Sequence, residues 1–578
     1  MTFAKLTEYF EKLEKTSSRL VLIDILTELF SKVEFNEIGH VAYLIQGRVA
    51  PFFQPLEIGM SEKLVAAAMA RAYGVDREQV LREYGKVGDL GLVALRLASL
   101  AQGKLPKGLD LSVNEVFETL RGIAKTTGEG TVEKKVSTLA NLLKRVDGIS
   151  AKHLVRVPLG VSRLGVGDPT LLDAFAKLKL GDKSKRKLLE GAYNRTSDLG
   201  LIGETLWKGG LKAVQKLNVT VGRPIRSELT ERLPTAEKVI EKLGKVNAQK
   251  KVDGFRAQIH KEGNNVRIFS RNLEETTIMF PEIVEGAKKQ IKVKTAILDA
   301  EAIGYNPASD EFLPFQETTQ RRRKYNIAEM AKKIPLKAFV FDVLYWNGKP
   351  LIDLPLEERL KFLKEVESGE ILRLEQGEVV ADVKRLQQLL DDAISLGLEG
   401  LVVKRLDSKY EAGARNFNWV KLKRHSAGEL KDTIDCVILG YIFGRGKRAQ
   451  FGAGALLVGV YDKDKDEFVT VSKIGTGLTD QEWREIKVKS EKLKVKSKPA
   501  RVKSLITPSV WVEPKIVIEV LADEITRSPV HTAGKKDEEP GYALRFPRLV
   551  SFRESDKRAE DATTVKELIE MYRQQFKR

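Results

Sequence analysis

Apolar positions recur every three to four residues through much of the first two hundred residues. In SSRLVLIDILTELFSKV, Leu20, Ile23, Leu26 and Phe30 fall on one helical face, and Ser17 or Ser18 is placed to cap it. The same period runs through SEKLVAAAMARAYG, VEKKVSTLANLLKRV and DPTLLDAFAKLKL, with breaks containing Gly or Pro between them. One break, Arg163-Leu164-Gly165-Val166-Gly167, has the glycine content of a phosphate loop, but no strand pattern precedes it. A turn opening a helix at Asp168-Pro169 is the expectation there.

Beyond Gly222-Arg223-Pro224 the period shifts from helical to alternating. FRAQIH and NVRIFSR alternate around Glu262-Gly263-Asn264-Asn265, which predicts a hairpin. TAILDAEAIGY, KAFVFDVLYWNG and EGLVVKR predict further strands, with PLEERLKFLKEV a helix among them. From about Gly428 the strands shorten and turns become frequent, as in DCVILGYIFG, GALLVGVYDKDKDEFVTVSKIG and KIVIEVLADEIT, and TTVKELIEMYRQQF reads as a terminal helix. The pattern predicts a multidomain chain: an all-α domain over 1–220, an α+β domain over 221–427, and a small β-barrel with a C-terminal helix over 428–578. The basic stretch EKLKVKSKPARVKS is expected to be a solvated loop.

Composition narrows the partners. The chain has 578 residues, too many for one core, and 31% of them are charged. A net charge of +19 favours a polyanion. No apolar run approaches the ~20 residues that span a bilayer, and MTFAKLTEYFEKLEK lacks the pattern of a signal peptide. A cytoplasmic monomer with no membrane partner is expected. The single cysteine, Cys436, excludes internal disulfides and zinc sites built on several thiolates, and it is expected to pack as a small apolar residue. Abundant Lys and Glu with one Cys is the composition of a thermophile.

Candidate chemistry centres on Gln249-Lys250-Lys251-Val252-Asp253-Gly254. Lys-x-Asp-Gly alone is a weak signal, but it heads an ordered series. Ser270-Arg271-Asn272, Leu298-Asp299-Ala300-Glu301, Phe339-Val340-Phe341-Asp342, Glu399-Gly400-Leu401-Val402-Val403-Lys404, Asn418-Trp419-Val420-Lys421-Leu422-Lys423 and Arg545-Phe546-Pro547-Arg548 follow it. In this order and spacing the chain resembles the ATP-dependent DNA ligases of the archaeal and eukaryotic replicative type, which act through a lysine–nucleotide intermediate. The resemblance covers nearly the whole chain. It implies a helical DNA-binding domain, an adenylation domain and an OB-fold barrel, with ATP, Mg²⁺ (or Mn²⁺) and nicked duplex DNA as cofactors and substrate. It also implies work in DNA replication, repair and recombination.

The resemblance selects Lys251 as the nucleophile, since Lys250 has no carboxylate two residues on, and strand alternation sends the two lysines to opposite faces. An ordinary lysine is protonated at neutral pH, so its site must favour the neutral amine. Lys421 and Lys423, two apart on a strand, are expected to form a cationic wall at the α-phosphate. The resemblance further implies that Glu301 lies at ribose and metal, Glu399 at metal, and the Phe341 ring on the base. Arg256, Arg271 and Arg415 are implied at the nucleotide. Arg548, with Arg545 second, is implied to orient pyrophosphate. Asp299 is expected to be structural. Arg321-Arg322-Arg323-Lys324 is read as a solvated basic face with phosphate contact as the alternative.

Gln249 departs from the Glu that relatives place two residues before the nucleophile. An amide offers a donor as well as an acceptor, and the donor matches guanine O6, so use of GTP beside ATP is expected. A sliding-clamp partner rests on family habit alone. A capping guanylyltransferase or RNA ligase would share the lysine chemistry but has no need of the long helical region. A NAD-dependent ligase would carry a four-cysteine zinc site. A catalytically silent duplex-binding protein would not need Lys251, Glu399, Lys421 and Lys423 together.

Overall fold

Helical periodicity in the N-terminal region becomes a run of helices from Phe3–Glu14 to Leu199–Gln215. The computed structural model describes all residues except 102–110, 307–311, 314, 324, 396–397, 424–432, 444–452, 476–477, 538, 554–556 and 576–578. The helix Arg19–Ser31 buries Leu22, Ile23, Leu26, Leu29 and Phe30 with Ser18 at its N-cap, while Leu20 is exposed. The buried stripe therefore begins two residues later than the periodicity predicts. The Gly165 break is a turn with φ +68° ahead of the helix Asp168–Leu180, whose first turn holds Pro169. These helices share one core through Leu26, Phe30, Phe117, Leu139, Phe175 and Ile202.

Two sheets follow within the same compact unit, Met1–Leu422. One runs in the order Asn265–Phe269, Phe255–Glu262, Thr295–Gly304, Leu336–Trp346 and Lys349–Pro350, with Leu372–Leu374 added beside Leu336–Trp346. Its hairpin closes at Glu262 opposite Asn265, as the turn signal predicts. The other sheet has the order Leu229–Arg232, Arg415–Lys423, Gly400–Arg405, Val246–Lys251, Glu378–Val380.

Strand alternation divides both sheets by chemistry. Ala248, Leu401, Val403, Val420 and Leu422 pack against the helices Ala236–Leu243 and Val383–Ser395. Ala257, Ile259, Leu298, Ala300 and Val340 pack against Pro281–Gln290 and Leu356–Leu363. Gln249, Lys251, Val402, Lys404, Trp419 and Lys421 must then lie on the reverse face of one sheet. Arg256, Asp299, Glu301 and Phe341 lie on the reverse face of the other. The two reverse faces meet where Ile297, Leu344 and Phe341 contact Tyr410 and Trp419.

The second unit, Lys423–Arg578, is β-rich. Ile434–Ile442, Ala455–Asp462 and Glu467–Ile474 pair antiparallel in sequence, and Val517–Leu521 joins Ile434–Ile442 to Arg548–Phe552. Cys436 is fully buried, and burial pushes its thiol up. The terminal helix Val565–Gln574 lays Val565 and Leu568 on this core. The basic stretch expected as a loop is partly regular. A helix over Asp480–Lys492 enters it, anchored by Trp483 and Ile486, and Lys494–Val495 and Val502–Lys503 are short strands. Among the described residues no helix is long and apolar enough to cross a membrane.

Candidate active site

Lys251 ends the strand Val246–Lys251 and is directly opposite Gly400. The chain then turns sharply through Asp253 and Gly254 before re-entering a sheet at Phe255. A Cβ on Gly254 would collide with the Ala302 carbonyl, so the glycine of the Lys-x-Asp-Gly pattern is a packing requirement. The Lys251 ammonium forms an ion pair with Glu399, which immediately precedes the partner strand. Lys250 is exposed, and its backbone N–H donates to Glu375 Oε1 at 3.1 Å.

Across the site, Glu301 lies opposite Arg256 on neighbouring strands. Burial pushes the Glu301 carboxyl up to about 7, with Asp299 and Asp253 acting in the same sense against Arg256 and Lys251. Arg256 makes a two-point ion pair with the buried Asp299 and lies 4.8 Å from the centre of the Phe341 ring. Asp299 is thus the partner that holds Arg256. Phe341 is half-buried and stands edge-on to Trp419 at 6.1 Å.

Lys404, quoted in the sequence motif but given no role there, is buried on the same face as Lys251. Its Nζ sits 3.9 Å from the Trp419 ring centre and 4.5 Å from that of Phe341. Burial lowers its ammonium to about 8, aided by Arg359 and Arg256 and opposed by Asp342 and Asp299. Behind Phe341, Asp342 and Arg359 form a fully buried two-point ion pair at 2.8 and 2.9 Å. The sequence assigns no role to Tyr410, which opens the segment carrying Arg415, to Arg359, which lies in the predicted helix PLEERLKFLKEV, or to Glu228, which stands in no motif.

Gln249 is buried, and both protons of its amide are used. Nε2 donates to the Phe341 carbonyl at 3.0 Å and to the Glu375 carbonyl at 2.7 Å. Lys421 lies on the pocket side of the strand Arg415–Lys423, on the same face as Trp419. Lys423 ends that strand and begins the second unit. Arg415 is exposed at the strand's first position.

Arg271 is placed elsewhere. It follows the strand Asn265–Phe269, is exposed, and lines a cleft with Tyr43, Arg48, Asp168, Tyr193 and Arg226 of the helical region and its connection. Arg321 is buried and donates to Glu282 at 2.6 Å, so the basic run is not a uniformly solvated face; Arg322 pairs with Glu274 at its surface, and Lys324 lies outside the described residues. In the second unit, Arg545 donates to Glu524 at 3.0 Å and Arg548 to Asp523 at 2.7 Å, both at the surface.

Glu228 offers a test of this buried charge. Burial pushes its carboxyl up to about 8, with Asp342 in the same sense; the Glu411 N–H, Arg359 and Lys404 oppose it. The folded state therefore holds a proton that the unfolded chain releases above the ordinary carboxyl value near 4.5. That stabilisation is complete below pH 4.5 and is lost as pH rises through about 8. Glu228→Gln, which keeps an acceptor for Glu411, is expected to melt higher relative to wild type at pH 8.5 than at pH 5.5. Thermal melts at the two pH values check the difference, and a constant offset would contradict it.

Comparison with known proteins places this geometry in a family. Residues 2–176 match the DNA ligase N terminus, 227–423 the ATP dependent DNA ligase domain, and 449–557 the ATP dependent DNA ligase C terminal region. The chain belongs to the ATP-dependent DNA ligases. It is 50% identical over 578 residues to a probable DNA ligase of Dictyoglomus turgidum, covering 100% of this chain and 98% of that protein. It is 40% identical over 592 residues to a DNA ligase of Sulfolobus acidocaldarius, covering 100% and 99%. Among solved structures, "Pmar-Lig_PreS3" aligns with a TM-score of 0.51 at 16% identity, over 95% of this chain and 99% of that one, a likeness of fold. The protein is a DNA ligase enzyme of the ATP-dependent class.

Proposed function

We propose that this ligase seals nicks bearing 5′-phosphate and 3′-hydroxyl ends in duplex DNA, with Lys251 as the carrier of AMP. The observation that carries this reading is the convergence of Lys251, Glu399, Glu301, Arg256 and Phe341 on the facing sides of two sheets. Lys251 Nζ attacks the α-phosphorus of ATP, the bond to pyrophosphate breaks, and the amine loses its proton to leave a phosphoramidate. A DNA 5′-phosphate oxygen then takes the AMP and frees the lysine. The 3′-hydroxyl finally attacks the activated 5′-phosphorus and displaces AMP.

Phe341 supplies a stacking face for the base, and the guanidinium of Arg256 a fixed donor beside it. Lys421, with Lys423, neutralises charge on the α-phosphate. The surface ion pairs of Arg545 and Arg548 are weak enough for either arginine to exchange its carboxylate for pyrophosphate. Arg271 and Arg415 are assigned to the nucleotide or the nick end. The carboxylates fit a divalent cation such as Mg²⁺ or Mn²⁺. Glu301 is a half-buried hard-oxygen donor on the face that carries Arg256 and Phe341. Glu301 and Glu399 would hold such a cation, which would supply charge neutralisation at the phosphates. With +19 overall, DNA affinity should fall steeply with salt.

The bonds of Gln249 bear on the choice of base. Two carbonyls use its amide protons, leaving Oε1 to accept from a ligand. Adenine presents an amino group suited to that acceptor and guanine presents a carbonyl, which favours ATP over the GTP use expected from the sequence. ATP is expected to support self-adenylylation at least about a hundredfold better than GTP. Label transfer from each nucleotide measures the ratio, and equal labelling would show that the amide reverses. The ligase reading is tested by sealing of a nicked duplex with ATP. Sealing of RNA nicks in preference to DNA would redirect it to an RNA ligase.

A further inference from the structure

Tyr410 is 3% exposed and lies where the two sheets and the connection from the helical region meet. Its hydroxyl donates to Asp299 Oδ2 at 2.9 Å and accepts from the Glu228 N–H at 3.2 Å and from Arg256 Nη2 at 3.3 Å. Burial beside Asp299 pushes the phenol well up, so the hydroxyl keeps its proton and remains a donor. Arg256 commits Nε and Nη2 to Asp299, which leaves Nη1 outside that pair, in a guanidinium resting near the Phe341 ring. The direction of Nη1 is therefore set by Asp299, and Asp299 is held from behind by Tyr410.

Tyr410 is in turn fixed within its own loop, and the segments on either side of it, at Gly413 and Arg226, reach the helical region. Its own N–H donates to Ile352 O at 2.9 Å, and the Gly413 N–H donates to Arg226 O at 3.2 Å. Arg226 donates through its backbone N–H to Asn194 O at 2.9 Å, and through Nη2 to Asp168 at 2.8 Å and the Tyr193 hydroxyl at 2.6 Å. Gly413 has φ +72°, and a Cβ there would lie 2.8 Å from the Asn194 carboxamide. Hydrogen bonds thus join Asp168, Asn194 and Gly413 to Arg226, the backbone runs two residues on to the Glu228 N–H that donates to the Tyr410 hydroxyl, and Tyr410 reaches Arg256 through Asp299.

We propose that Tyr410 is a positioning residue for the nucleotide, acting through Asp299 and Arg256, and that the Asn194–Arg226–Gly413 contacts tie this positioning to the docked helical region. The proposal rests on the reading of Arg256 as a nucleotide ligand. It is tested by self-adenylylation kinetics of the full chain with ATP and Mg²⁺ for Arg256→Ala, Tyr410→Phe and the double variant, each with a thermal melt. Tyr410→Phe is expected to raise KM for ATP about tenfold while kcat stays within about threefold, and the double variant to be no worse than Arg256→Ala alone. A purely structural role would lower the melting temperature without that split. Multiplying losses in the double variant, or an unchanged KM in Tyr410→Phe, would overturn the proposal. An unchanged KM in Arg256→Ala would instead defeat the reading of Arg256 itself. Gly413→Ala gives an independent arm should Tyr410→Phe not fold. It is expected to raise KM in the same sense and to lose that effect in the Arg256→Ala background, and a wild-type KM would count against the tie to the helices.

Discussion

Lys251→Ala is expected to form no covalent nucleotide and to lose nick sealing by at least about 10⁴-fold, the scale on which a nucleophile's removal is felt. The reason is local. Lys251 and Glu399 are 23% and 17% exposed, so the amine is reachable and its loss removes one ion pair and no core packing. The variant should therefore fold, and a circular dichroism melt close to wild type separates lost chemistry from lost structure. Lys250→Ala should retain most of the adduct, because that side chain is exposed on the other face of the strand. Gel detection of label from α-labelled ATP reads both variants. An adduct of wild-type yield in Lys251→Ala would assign the nucleophile elsewhere.

Asp342→Ala is expected to cost about 3–5 kcal/mol of stability, because it strands the Arg359 guanidinium without its charge partner. Both side chains are 0% exposed. Arg359 also donates to the carbonyls of Leu354 and Ser408 at 2.7 and 3.1 Å, so it cannot turn to solvent without breaking the loop that leads to Tyr410. The substitution lies beside Phe341, and nucleotide affinity should fall with stability. Urea unfolding of wild type and variant gives the difference. A loss under about 1 kcal/mol would mean that solvent reaches Arg359 despite its burial.

The strands that build the pocket were legible because their alternation is strong and their turns are specific. The hairpin at Gly263-Asn264 and the strands containing Glu301 and Phe341 follow from period and turn signals alone, while the strand ending in Lys251 is marked only by its motif. The ordered motifs led to residues that these strands bring together. Less legible were residues whose role depends on contact across the sequence. Tyr410 touches Asp299 from 111 residues away, and Arg226 meets Asp168 from 58, so neither leaves a local pattern. Leu20 shows the limit of periodicity on a helix, where the stripe that faces the core depends on how the neighbouring helices dock. Arg271 shows a different limit. A motif lists a residue beside its companions in sequence, while the fold places it at a cleft shared with the helical region. Gln249 shows a third limit, since the sequence does not say where an amide's donors go, and the fold directs them to the Phe341 and Glu375 carbonyls.

The most direct test of the central claim is to locate the nucleotide itself. The full-length protein is incubated with ATP and Mg²⁺, digested, and the modified peptide fragmented in a mass spectrometer under conditions that keep a phosphoramidate intact. AMP on Lys251, discharged when nicked duplex DNA is added before digestion, is the predicted result. AMP on Lys250 or another residue, or an adduct that nicked DNA does not discharge, would contradict the account.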